Sequence, residues 1–148
     1  MMVLELRPMH MADIESVMEI ERRIQLYPWT HGNFTDSLES GYIGRIAELD
    51  GRMVGYAVLM PALDEAHLLT IGIDAEQQRK GLGSELLQKM VELAREAGMR
   101  RIILEVSPSN AAAVALYRKN DFRKIGVRRG YYAAGDERED AIVMELEL

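Results

Sequence analysis

Gln78-Arg79-Lys80-Gly81-Leu82-Gly83-Ser84 joins a run that alternates like a strand, Ala66 to Ile73, to the clearest helical pattern in the chain. In that pattern Leu82, Leu86, Leu87, Met90, Val91, Ala94 and Ala97 fall on one face and Gly98 closes the run. Glycines at the mouth of a helix let backbone approach a ligand closely. The free N–H groups of the first turn, with Arg79 and Lys80 beside them, attract an anion such as phosphate. A plain glycine-bearing connection is the competing reading. Walker A is excluded because no Gly-Lys-Ser/Thr occurs, and the dinucleotide fingerprint lacks its third glycine.

Upstream of this stretch, Val3 to Arg7 alternates as a strand ending at Pro8, and Met11, Ile14, Val17, Met18 and Ile24 recur at helical spacing. Tyr27-Pro28-Trp29-Thr30 breaks that pattern, and a shorter helix spans about Gly32 to Glu39, ending at Gly41. The period then changes to two. Asp50-Gly51 between Ile43 to Leu49 and Met53 to Leu59 signals a tight hairpin, and the strand Ala66 to Ile73 makes three antiparallel strands in a row. Downstream, Arg101 to Val106 reads as a buried central strand stopped by Pro108. Ser109 is placed to cap a helix from Asn110 to about Lys119. Strands near Phe122 to Tyr131 and Ala141 to Leu146 complete an α/β order, β-α-α-β-β-β-α-β-α-β-β, with a mixed sheet.

The chain has 148 residues, 48% of them apolar and 28% charged, which suits one domain over 1–148. A formal charge of -6 disfavours a general nucleic-acid binder. With no Cys there is no thiolate metal site, and His10, His31 and His67 share no metal-ligand spacing, so no metal is expected and surface or core placement is expected for all three. The apolar stretch Met53 to Leu63 is too short to span a bilayer and contains Pro61. Glu5 and Arg7 stand where a signal peptide needs its apolar region, so the expectation is a cytoplasmic protein without a membrane partner. Charge is uneven. Arg118, Lys119, Arg123, Lys124, Arg128 and Arg129 form a basic segment and Asp136 to Asp140 an acidic one, both read as solvated surface, the acidic one also able to attract a cationic chain end.

Glu105 lies between Leu104 and Val106, where a carboxylate costs free energy unless it is solvated, paired or used. Tyr117 follows Ala112, Ala113 and Leu116 and reads equally as a core aromatic; Asn110 reads as a helix cap. Trp29, Tyr131 and Tyr132 could be edges of a core or a platform for a peptide.

Gln78-x-x-Gly81-x-Gly83 is similar to the pyrophosphate signature Q/R-x-x-G-x-G/A of the GNAT superfamily of acetyl-CoA-dependent N-acetyltransferases. Leu104-Glu105-Val106-Ser107-Pro108-Ser109-Asn110-Ala111-Ala112-Ala113, with Ala115-Leu116-Tyr117, resembles the corresponding segment of its RimI type, which acetylates a ribosomal-protein amino-terminal alanine. Tyr27-Pro28-Trp29-Thr30, Arg128-Arg129-x-Tyr131-Tyr132 and Arg138-Glu139-Asp140-Ala141 extend the likeness over most of the chain. Ser107 stands where Arg is usual, Thr70 where Asn is common, and Asp121 where Gly is common.

The resemblance implies a single domain with a mostly antiparallel sheet, splayed central strands and flanking helices. It implies acetyl-CoA held at Ile71, Ile73, Gln78, Arg79, Lys80, Gly81, Leu82, Gly83, Ser84, Asn110 and Tyr117. Trp29, Thr70, Glu105, Tyr131 and Tyr132 would meet the acceptor, a ribosomal-protein amino terminus, in a monomer or weak dimer. Glu105 would be the general base and Tyr117 the general acid. A lysine or polyamine acceptor, and a non-catalytic CoA-binding module, are the alternatives.

Overall fold

The computed structural model describes residues 3–148; residues 1 and 2 of the expected domain lie outside it. The elements are β1 (Glu5–Pro8), α1 (Ile14–Ile24), α2 (His31–Glu39), β2 (Ile43–Leu49), β3 (Arg52–Ala62), β4 (Glu65–Ile73), α3 (Leu82–Glu96), β5 (Arg101–Val106), α4 (Ala111–Lys119), β6 (Arg123–Ala134) and β7 (Glu137–Glu147). They follow the order expected from the sequence. Asp50 and Gly51 both take positive φ, 51° and 76°, the backbone that a two-residue hairpin loop requires. Met9 N–H donates to Gly44 O and Arg7 pairs with Asp13, so β1 is tied to the entry of α1.

The strands form one sheet in the order β1-β2-β3-β4-β5-β7-β6, and only β4 and β5 run parallel. Their pairing covers Glu65↔Arg101, Ala66↔Ile102 and His67↔Ile103 and then stops, although β4 continues to Ile73 and β5 to Val106. The cause lies in β4. Its register with β3 steps from Val58↔Thr70 to Leu59↔Leu68, so Leu69 is an extra residue that bends the strand away. A wedge opens between β4 and β5 in the middle of the sheet.

Each face of the sheet has its own core. Leu86, Met90, Ile102, Leu104 and Met144 pack with α3 and α4, whereas Ile14, Val17, Phe34, Ile46 and Tyr56 pack with α1 and α2. The predicted apolar face of α3 is buried from Leu82 to Ala94. Ala97 is exposed and ends the helix, and Gly98 at φ 80° turns the chain so that Met99 N–H reaches Ala94 O.

Three expectations are corrected. β5 is central but alternates: Ile102, Leu104 and Val106 are buried, while Ile103 and Glu105 turn to the opposite, partly open face. Asn110, and not Ser109, caps α4 by accepting from Ala113 N–H, because Ser109 is engaged by Glu139. β6 and β7 run to Ala134 and from Glu137, so most of the acidic segment is strand: Asp140 accepts from Gly130 N–H and Arg138 donates to Gly130 O. The basic segment is exposed surface, as expected, and two of its members also make ion pairs there. Arg123 pairs with Glu145 and Glu147, and Arg128 turns toward Glu105.

Candidate active site

The stretch from Gln78 to Ser84 meets the wedge at one end. Gly81 sits at φ 78° as the cap of α3, where no side chain fills the helix mouth, and the first bond of the helix is Glu85 N–H to Gly81 O. The amides of Leu82, Gly83 and Ser84 therefore lack an intrahelical acceptor and carry the positive end of the dipole. A cavity of about 530 Å³ opens here, bordered by Ile71, Ile73, Gln78, Arg79, Gly81, Gly83, Ser84 and Asn110. Gln78 is braced by donating its side-chain amide to Ile73 O at 3.0 Å. Two residues of the stretch stand apart: the Leu82 side chain is buried in the core and Lys80 donates to Gln77, so neither side chain borders the cavity.

A second cavity, about 390 Å³, occupies the α1 side of the wedge and is bordered by Trp29, Thr70, Glu105, Tyr117, Tyr131 and Tyr132. The structure thus brings all the expected acceptor residues together. Gln25, Ile71, Asn110, Ala113 and Leu116 border both cavities, which meet through the sheet. Trp29 serves core and groove at once, its ring standing edge-on to Phe34 at 4.9 Å.

Glu105 is nearly closed off from water, with 4% of its side chain exposed. Its Oε2 touches His67 Nε2. Its Oε1 lies 3.1 Å from Arg128 Nε, within ion-pair range, yet accepts no aligned hydrogen bond and has no contact with solvent. His67 was expected at an ordinary surface or core position; it is instead half-buried against Glu105. Only the parallel register, which sets His67 opposite Ile103 two residues before Glu105, carries that information, and neither strand signals it alone.

Tyr117 is buried beside Phe122 at 5.7 Å, and burial alone pushes its phenol up, so it keeps its proton at neutral pH. Burial raises Tyr131 and Tyr132 in the same sense.

Two carboxylates that sequence reading did not place support the cavity: Glu21 lines it, and Glu139 holds Tyr27 and Ser107, which line it. Glu21, 1% exposed on α1, accepts from Trp29 N–H at 2.9 Å, Tyr56 OH at 2.5 Å and Thr70 OH at 3.4 Å. Burial raises its pKa against the pull of those donors. It fastens the segment after α1 to β3 and β4. Glu139 on β7 accepts from the hydroxyls of Ser109, Tyr27 and Ser107 at 2.5, 2.5 and 2.8 Å, which hold its carboxyl down at about 2. Ser107, standing where an Arg is usual, thus reaches Glu139 with a neutral donor. A buried Glu after an Ile on a helix, and an acid within a strand, were the available signals. Neither names its partners.

An anion-ready helix mouth, a split parallel pair and a cavity lined by both a buried carboxylate and a buried phenol make an acyltransferase-type site. The Acetyltransferase (GNAT) family pattern matches residues 14–122, and the chain belongs to that family, whose members use acetyl-CoA. Among its relatives is the [ribosomal protein bS18]-alanine N-acetyltransferase of Escherichia coli K12, 37% identical over 136 residues and 92% of each chain. The Haemophilus influenzae protein of the same description is 34% identical over 137 residues, covering 92% of this chain and 93% of that one. The crystal structure of the Escherichia coli ribosomal-protein-S18-alanine N-acetyltransferase superposes with a TM-score of 0.88 over 98% of this chain and 94% of that one, at 34% identity.

Proposed function

We propose that this chain is a single catalytic domain that transfers an acetyl group from acetyl-CoA to the α-amine of a protein amino terminus, alanine of a small-subunit ribosomal protein, in the cytoplasm. The observation that carries this reading is the wedge between β4 and β5, which joins the helix mouth at Gly81 to the cavity holding Glu105 and Tyr117. The named activity of its relatives supports the choice of acceptor.

The residues present fit acetyl-CoA. The amides of Leu82, Gly83 and Ser84, with Arg79, suit a pyrophosphate, and the unpaired edges of β4 and β5 past His67 offer amide partners to a pantetheine arm. When bound, acetyl-CoA supplies an acyl group activated as a thioester. An α-amine has a pKa of about 8 and must lose a proton before its nitrogen can attack. Glu105 takes that proton, directly or through a water. Tyr117, protonated in its buried position, gives its proton to the sulfur released when the carbon–sulfur bond breaks. Trp29, Thr70, Tyr131 and Tyr132 shape the space for the first residues of the acceptor.

Intact-mass spectrometry of peptides incubated with acetyl-CoA tests this. A peptide with a free amino-terminal alanine gains one acetyl group, and the same peptide blocked at its amino terminus but carrying lysines reacts far more slowly. Equal reaction of the blocked peptide, or faster reaction of spermidine, moves the acceptor to side-chain or polyamine nitrogen. Binding of acetyl-CoA without turnover of any amine leaves only a CoA-binding module.

A further inference from the structure

Glu105 ends in a carboxylate whose terminal torsion is broad and roughly two-fold, so burial alone does not fix which oxygen meets an incoming amine. Two side chains approach it. Arg128 stands on the edge strand β6 with 57% of its side chain exposed, and its Nε is out of line with Oε1. His67 is different. Its backbone is paired on both sides, to Met60 of β3 and Ile103 of β5, and its Nε2 sits on Oε2. An ionised carboxylate only accepts, so Nε2 carries the proton of this contact. The contact leaves Oε1 as the one buried side-chain oxygen among the described residues without a hydrogen-bond donor.

We propose that His67 is a positioning residue for acetyl transfer: it holds Oε2 of Glu105 and thereby presents Oε1 as the atom that takes the proton of the acceptor amine. The wedge makes this possible. The β4–β5 pairing ends at His67↔Ile103, so His67 is the last β4 residue held in register against β5, and Glu105 is the first outward-facing residue of β5 beyond it. The imidazole spans the point at which the strands part and pins the base there. Lost alignment of a proton acceptor slows the chemical step and leaves ground-state binding intact.

The inference rests on Glu105 being the base, and a double-mutant cycle separates the two. His67→Leu keeps bulk and removes the donor; kcat falls about tenfold or more, while KM for an alanine-terminated peptide and acetyl-CoA affinity stay within about twofold. His67→Gln, which again offers an N–H, recovers most of the rate. In a Glu105→Gln background His67→Leu costs nothing further, because the group it aligns is gone. Should His67→Leu not fold, as read by circular dichroism, His67→Phe takes its place in the cycle. Wild-type kcat in His67→Leu or His67→Phe overturns the proposal, as does an equal additional loss in the Glu105→Gln background. Wild-type kcat in Glu105→Gln alone overturns the base assignment instead, and the role of His67 with it.

Discussion

The hydroxyl of Tyr27 donates to Oε2 of Glu139 at 2.5 Å, joining residues that lie 112 positions apart in the sequence. The same ring stacks on Tyr132 at 4.5 Å, with 13° between the planes. Because Glu139 also gathers Ser107 and Ser109, one carboxylate ties the segment after α1, the end of β5 and the β6–β7 hairpin around the cavity that contains Glu105.

That latch borders the cavity proposed to receive the acceptor and touches no part of the Gly81 cavity. Tyr27→Phe keeps the stack and removes the donor, so KM for an alanine-terminated peptide should rise several-fold, up to about tenfold. Acetyl-CoA affinity by calorimetry should be unchanged. Unaltered peptide KM would show that the latch does not bear on the acceptor.

Glu139 also makes stability depend on pH in a defined direction. Its carboxyl is held at about 2, below the ordinary 4.5, so the fold favours the ionised form. The stabilisation is complete above the ordinary value and drains away as pH falls from there toward about 2. Glu145, held down by Arg123 and Arg101, acts in the same sense in both proteins compared. Thermal melts should therefore show wild type more stable than Glu139→Gln at pH 7, with the gap closing over that acid range. A gap that persists to pH 2 would assign the difference to packing instead of charge.

Glu105 and Tyr117 should fail differently. Glu105→Gln cannot accept a proton, so turnover at neutral pH falls roughly 100-fold or more. Raising the pH deprotonates the amine in solution and returns part of that rate. Tyr117→Phe is slow at every pH, because what it lacks is a proton for the leaving sulfur. Rates from pH 6 to 10 with one alanine-terminated peptide check both; wild-type turnover in Glu105→Gln would remove it as the base.

The two glycines of the helix mouth carry separate burdens. Gly81 is left-handed, so Gly81→Ala costs about 1–2 kcal/mol of stability, read from denaturant unfolding. At Gly83 a Cβ would lie 3.7 Å from Leu116, an ordinary contact, so Gly83→Ala folds as well as wild type. Gly83→Val crowds the approach to the amides and should weaken acetyl-CoA tenfold or more, about 1.4 kcal/mol. Full affinity in a folded Gly83→Val protein would take the helix mouth out of the binding site.

The order of the elements, the Asp50-Gly51 hairpin, the apolar face of α3 and the helix mouth at Gly81 are all legible in the sequence. Each of these is local, written in a period of two or 3.6 residues or in the backbone freedom of one glycine. The sequence also singled out Glu105 and Tyr117, through an acid in an apolar run and a likeness in residue order. That β4 and β5 are parallel neighbours that part after His67 emerges only in the assembled sheet, since strand order and the bulge at Leu69 depend on packing between segments with no shared sequence period. His67 against Glu105, Glu21 beneath Trp29 and Glu139 on Tyr27 belong to that second class. In each, a polar side chain answers to partners 8 to 112 residues away. The partners of such a contact meet only when the chain has folded, and the contact strengthens as the fold withdraws them from water.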